Sequence, residues 1–131
     1  MDELPAWPVG TVAVLSTGAG EPHAIPVSTA VRRGPREIAL ALALRRESLA
    51  RLREDPRCAV TVLAAGNLAL TAVGRAVVED EGPRVAIVRV DVSEIFDHGQ
   101  DTFVIDDGVQ WRWTDPEAER NDAELRARLA P

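Results

Sequence analysis

A short run of basic and hydroxyl residues, Arg45-Arg46-Glu47-Ser48, stands where a predicted strand gives way to a predicted helix. An anionic group such as a phosphate needs several convergent donors, and the start of a helix offers unpaired N–H groups with a partial positive charge. The two arginines add forked, charged donors, and Ser48 adds a hydroxyl. This junction is therefore the strongest candidate for a phosphate site. The alternative is that the arginines are solvated surface groups and that Ser48 only caps the helix.

Other patterns associated with catalysis or metal binding are weak or absent from the sequence. The Gly18-Ala19-Gly20 segment lacks the third glycine of a dinucleotide-binding loop, and a strand follows it where that loop requires a helix. The two histidines, His23 and His98, stand far apart, and the single cysteine, Cys58, lies in an apolar strand. We therefore expect no metal site and no disulfide within the chain, and we expect Cys58 to be a small buried side chain.

The composition is that of one small domain with an acidic balance. The 131 residues include 15 basic and 21 acidic ones, a net charge of −6 that argues against nucleic-acid binding. Arginines nevertheless cluster between Arg45 and Arg57, which favours a small anionic ligand. No apolar run is long enough to span a bilayer, and the start of the chain lacks the features of a signal peptide. We expect a single domain over residues 1–131, working in the cytoplasm without nucleic-acid or membrane partners.

Closely spaced apolar segments predict an antiparallel β protein, because the short turns between them leave no room for the crossover helices of a parallel sheet. Strands are predicted at 11–17, 23–31, 37–44, 57–64, 67–78 and 84–95, with further extended segments at 102–105 and 109–114. A short helix is predicted at 48–54, with Ser48 as its N-cap. A C-terminal helix should begin at Asp115-Pro116. So many short strands in a small chain predict a closed, six-stranded barrel.

The strand at 37–44 has two different faces. Its leucines and Ile38 alternate with the alanines at positions 39, 41 and 43. Because successive strand residues point to opposite sides, the larger side chains should face the core and the alanines should leave space for something else. Trp111 and Trp113 also have strand spacing and should share one face, where they either pack the core or line a cofactor site or dimer interface.

Several segments, in order along the chain, resemble the pyridoxamine 5′-phosphate oxidase-like family of flavin-binding split barrels. The likeness covers about residues 10 to 95 and is weaker beyond. Its segments are Pro22-His23-Ala24-Ile25-Pro26-Val27-Ser28, then Leu44-Arg45-Arg46-Glu47-Ser48, then the helix from Leu49 to Asp55-Pro56-Arg57-Cys58-Ala59-Val60, and finally Gly74-Arg75-Ala76. The junction departs from the family pattern because it is shorter and holds no lysine. Arg51, one helical turn further on, is the candidate to replace that lysine.

The resemblance implies a mainly β, six-stranded antiparallel split barrel that forms a homodimer with a cofactor, FMN or the deazaflavin F420, at each interface site. The phosphate would lie against the Arg45–Ser48 junction, and the ring would lie along the second strand beside Ala43. The cofactor-binding residues implied in this way are Val27, Ser28, Thr29, Ala43, Leu44, Arg45, Arg46, Ser48, Arg51, Trp111 and Trp113.

The function implied is that of an FMN-dependent oxidoreductase acting on an unknown small molecule, and no catalytic acid or base is identified because hydride transfer belongs to the cofactor. Two alternatives stay open. An F420-dependent reductase would need a wider basic groove, for which the Arg32-Arg33-Gly34-Pro35-Arg36 turn is a candidate. The other alternative is a split-barrel dimer that holds a flavin or haem without turnover. His23 is expected to be an edge or hairpin histidine, and Pro26 to mark an edge strand or a bulge.

Overall fold

The computed structural model describes residues 1–130, which form a seven-stranded antiparallel sheet and two helices. The strands are β1 Ala13–Thr17, β2 His23–Val27, β3 Val31–Gly34, β4 Glu37–Ala43, β5 Arg57–Ala64, β6 Leu68–Glu81 and β7 Val85–Asp97. Helix α1, Glu47–Glu54, connects β4 to β5, and α2, Pro116–Leu129, follows β7. The strand order is β2-β1-β5-β6-β7-β4-β3. The prediction of a mainly β, antiparallel protein with a short helix and a C-terminal helix is therefore confirmed.

The prediction of six strands in a closed barrel is wrong, because the segment 23–31 is not one strand. It breaks after Val27, and the Thr29 side chain then takes the place of a strand partner. The Thr29 hydroxyl accepts from the Ala41 N–H at 3.0 Å and donates to the Ala41 carbonyl at 3.3 Å. The chain thus crosses from β2 to β3, which are the two opposite edges of the sheet. Within residues 1–130, no strand ladder joins these edges, although Pro26 lies on an edge strand as predicted.

The segments 102–105 and 109–114, predicted to be extended, form no strand. Side chains hold this part of the chain in place of a ladder. The Ile105 N–H donates to the Asn67 side-chain oxygen at 3.1 Å, and the Trp111 indole donates to the Gly10 carbonyl at 2.8 Å. The C-terminal helix that follows begins as predicted, because the Asp115 carboxylate accepts from the Glu117 N–H at 3.0 Å.

The core lies on one side of the sheet, where the leucine face of β4 meets the inward residues of its neighbours. Leu40 and Ile38 are fully buried there with Leu15, Val60 and Leu70. The opposite, alanine face of β4 is covered in part by α2. Ala39 is also fully buried, packed against Ile87 and Leu129, whereas Ala41 and Ala43 are only half-buried. The alanine face therefore seats the end of α2 and stays partly open beyond it.

Gly74 marks a place where two strands approach too closely for a side chain. It lies at an irregularity in the register of β6 against β7, and a Cβ at this position would stand 2.1 Å from the Asp91 carbonyl oxygen. Only glycine fits there without a shift of the backbone. No helix among residues 1–130 is long and apolar enough to span a membrane.

Candidate cofactor site

A cavity of about 680 Å³ lies between the alanine face of β4 and helix α2. We call it the α2 cavity. Its volume falls within the range that small-molecule and cofactor sites occupy. Its walls are Ser28, Thr29, Ala41, Ala43, Arg46, the turn Gly82–Val85, Trp113, Ala118, Asn121, Asp122, Glu124, Leu125 and Arg128. Among the residues predicted to bind cofactor, Ser28, Thr29, Ala43, Arg46 and Trp113 line this one cavity.

Helix α2 is fixed over the cavity by its last turn and by one arginine. Leu129 is fully buried against Ala39, and the Arg126 guanidinium donates to the Ser28 carbonyl at 2.9 Å. The same guanidinium pairs with Asp122 at 2.6 Å. These contacts connect α2 to the segment between β2 and β3, so both walls of the cavity are held in place.

Two of the cationic side chains of the α2 cavity have no carboxylate partner. Arg128 pairs with Asp80, but Arg46 and Arg84 form no ion pair within residues 1–130. Both lie at the end of the cavity formed by the β4–α1 junction and the β6–β7 turn. This end therefore presents charged donors that are free to meet an anion.

Arg45 and Leu44 line a neighbouring cavity of about 460 Å³, which we call the hairpin cavity because the β6–β7 turn forms one side of it. The turn reaches the junction through the strand ladder. Ala43 pairs with Val85, and the Leu44 N–H then donates to the Arg84 carbonyl at 3.0 Å. Sequence reasoning missed Arg84. The signal was the pairing of β4 with β7, which brings residue 84 opposite residue 44.

Ser48 is buried inside the first turn of α1, so the prediction that it is the N-cap is wrong. The N-cap is Arg46, which makes no side-chain capping bond. Ser48 is 1% exposed, and its hydroxyl lies 3.1 Å from the His23 Nε2 atom. Glu47 stands 3.9 Å from the other nitrogen of that ring. The hydroxyl and the imidazole thus connect α1 to β2. His23 is half-buried and opens the edge strand β2 in the β1–β2 hairpin, as predicted.

Arg51 and Val27, also predicted to bind cofactor, lie outside both cavities. The Arg51 guanidinium donates to the carbonyls of Ala19 and Glu21 at 2.7 and 2.8 Å and to the Glu47 carboxylate at 3.2 Å. These bonds hold the β1–β2 turn against α1. Val27 belongs to the buried core.

The two tryptophans of the 109–114 segment do not share a strand face, because this segment is not a strand. Trp113 borders the α2 cavity, whereas Trp111 lines a separate cavity of about 390 Å³ near Gly10 and Gly108. Their rings meet edge to face, with centroids 5.2 Å apart and planes at 85°. The pair therefore connects the two cavities through one aromatic contact.

The arginines of β3 and of the turn that follows it are already engaged by the protein. Arg33 pairs with Glu37 and Glu79, Arg36 donates to the Ser93 carbonyl at 2.8 Å, and Arg32 donates to the Leu4 carbonyl at 2.7 Å. This turn is therefore poorly suited to form the basic groove considered for an F420 tail.

No group of three or more metal-ligating side chains occurs in residues 1–130. Burial raises the pKa of the Cys58 thiol to about 12, so the thiol stays protonated and unreactive near neutral pH.

No protein-family profile matches the chain, and no curated protein sequence matches it. Sixty-two chains of solved structures do match. A candidate pyridoxamine 5′-phosphate oxidase from Listeria innocua is 15% identical, with a TM-score of 0.59 over 69% of this chain and 90% of its own. Group A Streptococcus HupZ is 13% identical, with a TM-score of 0.61 over 76% and 90%. The NADH:FAD oxidoreductase SgcE6 of Streptomyces globisporus is 15% identical, with a TM-score of 0.59 over 67% and 75%.

These likenesses agree with the segments in the sequence that resemble the same group of proteins. Since the identities are low, they establish the arrangement of strands and helices rather than a shared activity. The chain therefore has the fold of the pyridoxamine 5′-phosphate oxidase-like split-barrel proteins.

Proposed function

We propose that the chain binds a flavin-type cofactor in the α2 cavity and acts as an oxidoreductase, with FMN as the simplest cofactor that fits. The observation that carries this proposal is the combination of small side chains and unpaired arginines around one cavity. Two structural neighbours support it by name, the NADH:FAD oxidoreductase of Streptomyces globisporus and a FAD-binding protein of Mesorhizobium loti.

The cavity suits a flat ring that carries an anionic tail. Ala41 and Ala43 are half-buried and leave room for a planar group beside β4, and Trp113 provides an aromatic wall. At the other end, Arg46 presents a guanidinium group without a carboxylate partner in residues 1–130. A phosphate is the group that this fork of donors recognises best.

When bound, a flavin supplies the hydride chemistry itself. The protein's part is to hold the cofactor and to shield it from water. Arg46 would bind the phosphate, and the alanine face would accept the ring. Helix α2, with Leu125 toward the cavity, would keep water from one side of the site.

We further propose a homodimer. The outer face of β1, β5, β6 and the end of β7 carries exposed apolar residues: Val14, Leu63 and Phe96 are 38%, 51% and 48% exposed. Between them lie the uncharged Thr61 and Thr71, joined by a 3.0 Å hydrogen bond. An apolar face of this kind is suited to a second copy of the chain. We also propose a cytoplasmic location, since the one cysteine is unpaired.

The test is a set of binding titrations with riboflavin, FMN and F420, followed by anaerobic reduction with NADH. We expect FMN to bind and riboflavin, which lacks the phosphate, to bind at least about tenfold more weakly. Arg46→Ala should weaken FMN by about 1.5–3 kcal/mol, the range for a hydrogen bond to a charged group. Arg75→Ala is the control, because Arg75 is exposed on β6 and lines neither cavity.

Two results would contradict the proposal. Wild-type FMN affinity in both Arg45→Ala and Arg46→Ala would mean that the phosphate site lies elsewhere. A protein that binds FMN but whose bound flavin is reduced by no nicotinamide or substrate would be a flavin carrier rather than an oxidoreductase.

A further inference from the structure

The α2 cavity and the hairpin cavity share one wall. Ala43, Pro83, Arg84 and Val85 line both of them. The first cavity ends at Arg46 and the second begins at Arg45, so consecutive arginines face consecutive spaces. A ligand that leaves the α2 cavity past Arg46 would therefore enter the hairpin cavity beside Arg84.

The hairpin cavity differs from the α2 cavity in charge. The α2 cavity has the carboxylates of Asp122 and Glu124 in its walls, whereas the charged residues lining the hairpin cavity are Arg45 and Arg84 alone. Neither of these arginines forms an ion pair within residues 1–130.

The acidic residues nearest in sequence to Arg84 are already paired. Asp80 pairs with Arg128, and Glu81 pairs with Arg53 at 2.8 Å. In a chain whose net charge is −6, these two arginines give one small cavity a positively charged lining. Both side chains are exposed, and an anion bound between them would be attracted by both guanidinium groups.

We propose that the hairpin cavity is a second anion subsite, built by Arg84 and Arg45, for a cofactor tail with an anionic group beyond the first phosphate. This inference rests on the proposed function and narrows its ligand class. The second group is either the further phosphate of a flavin dinucleotide or the acidic tail of a deazaflavin. FMN carries one phosphate, so it engages only the first subsite, at Arg46 in the α2 cavity.

The experiment compares the affinities of FMN, FAD and F420 for the wild-type protein, Arg84→Gln and Arg75→Gln. Arg84→Gln removes the guanidinium group but keeps the contact between the β6–β7 turn and Leu44, because the Leu44 N–H donates to the Arg84 backbone carbonyl. Arg75→Gln removes an exposed arginine that lines neither cavity. A melting curve for each variant checks that the fold is kept.

We expect wild-type protein to bind FAD or F420 at least about tenfold more tightly than FMN, the effect of one charge-assisted contact. Arg84→Gln should remove that preference and change FMN affinity by less than about threefold, while Arg75→Gln should keep it. A preference for FAD alone identifies the second phosphate as the ligand, and a preference for F420 alone identifies the acidic tail.

Three results would overturn the inference while leaving the proposed function standing. They are equal affinity of the wild type for all three cofactors, a preference that survives Arg84→Gln, and an equal loss of FMN and of the longer cofactors in that variant. Failure of the wild type to bind any of the three would instead refute the proposed function, and the inference with it.

Discussion

Ala43 and Ala39 lie on the same face of β4, and a leucine at each position should have opposite consequences. Ala43 is half-buried and borders the α2 cavity, whereas Ala39 is fully buried between Ile87 and Leu129. The three added carbons of leucine at position 43 would occupy space that the proposed ring needs. At position 39 they would have to displace the end of α2.

The magnitudes follow from the packing. Overfilling a tightly packed core costs about 1–3 kcal/mol, so Ala39→Leu should lower the melting temperature by about 4–11 °C. Ala43→Leu should leave the melting temperature of the cofactor-free protein nearly unchanged. If the same cost falls on the bound ligand instead, FMN affinity should drop by about 5- to 150-fold.

Differential scanning fluorimetry and FMN titration on the two variants measure both effects. The reasoning is refuted if Ala43→Leu strongly lowers the melting temperature while FMN binds as before, because position 43 would then belong to the core. Unchanged behaviour of Ala39→Leu in both assays would show that α2 does not pack on β4 as described.

Three further predictions concern stability and assembly. Gly74→Ala should destabilise the protein by about 1–3 kcal/mol or more, because its methyl group meets the Asp91 carbonyl. The control Gly34→Ala, whose Cβ would stand 3.6 Å from Glu37, should melt nearly as the wild type does. Equal melting temperatures of the two variants would disprove this. Burial raises the pKa of the Cys58 thiol to about 12, so as pH rises past the ordinary value of 9.0 the thiol ionises first in the unfolded chain. The free energy of unfolding should therefore fall above pH 9.0 in the wild type but not in Cys58→Ala. Iodoacetamide should modify Cys58 only on unfolding. This slope should be visible because the chain has no tyrosine or lysine to titrate in the same range. Sedimentation velocity at micromolar concentration should give twice the mass of one chain, and Leu63→Glu on the outer sheet face should give monomers; a monomeric wild type would contradict the proposed dimer.

Local patterns in the sequence were enough to predict most strands and part of the candidate site. The alternation of leucine and alanine along β4 predicted its two faces, and the Asp115-Pro116 pair predicted the start of α2. Ser28, Thr29, Ala43 and Arg46 come together because they lie on or next to strands whose existence local periodicity can show.

What was missed depends on contacts between residues far apart in the chain. Arg84 meets the β4–α1 junction only because β4 pairs with β7, and the Ser48 hydroxyl on α1 meets His23, which comes from β2. The break at Thr29 likewise depends on a side-chain bond to the backbone of Ala41. A hydrogen bond of this kind leaves no periodic trace in the sequence, so six strands were predicted where there are seven.

The location of the cofactor is the central claim, and chemical-shift mapping during an FMN titration tests it most directly. On ¹⁵N-labelled protein, we expect FMN to shift the amide signals of Ser28, Thr29, Ala43 and Arg46 and the indole N–H signal of Trp113, all with the same saturable affinity. In the Arg46→Ala variant, that affinity should fall by the same factor for every one of these signals. Shifts confined to the separate cavity around Trp111 and Gly10, or no saturable shifts at any FMN concentration, would contradict the account.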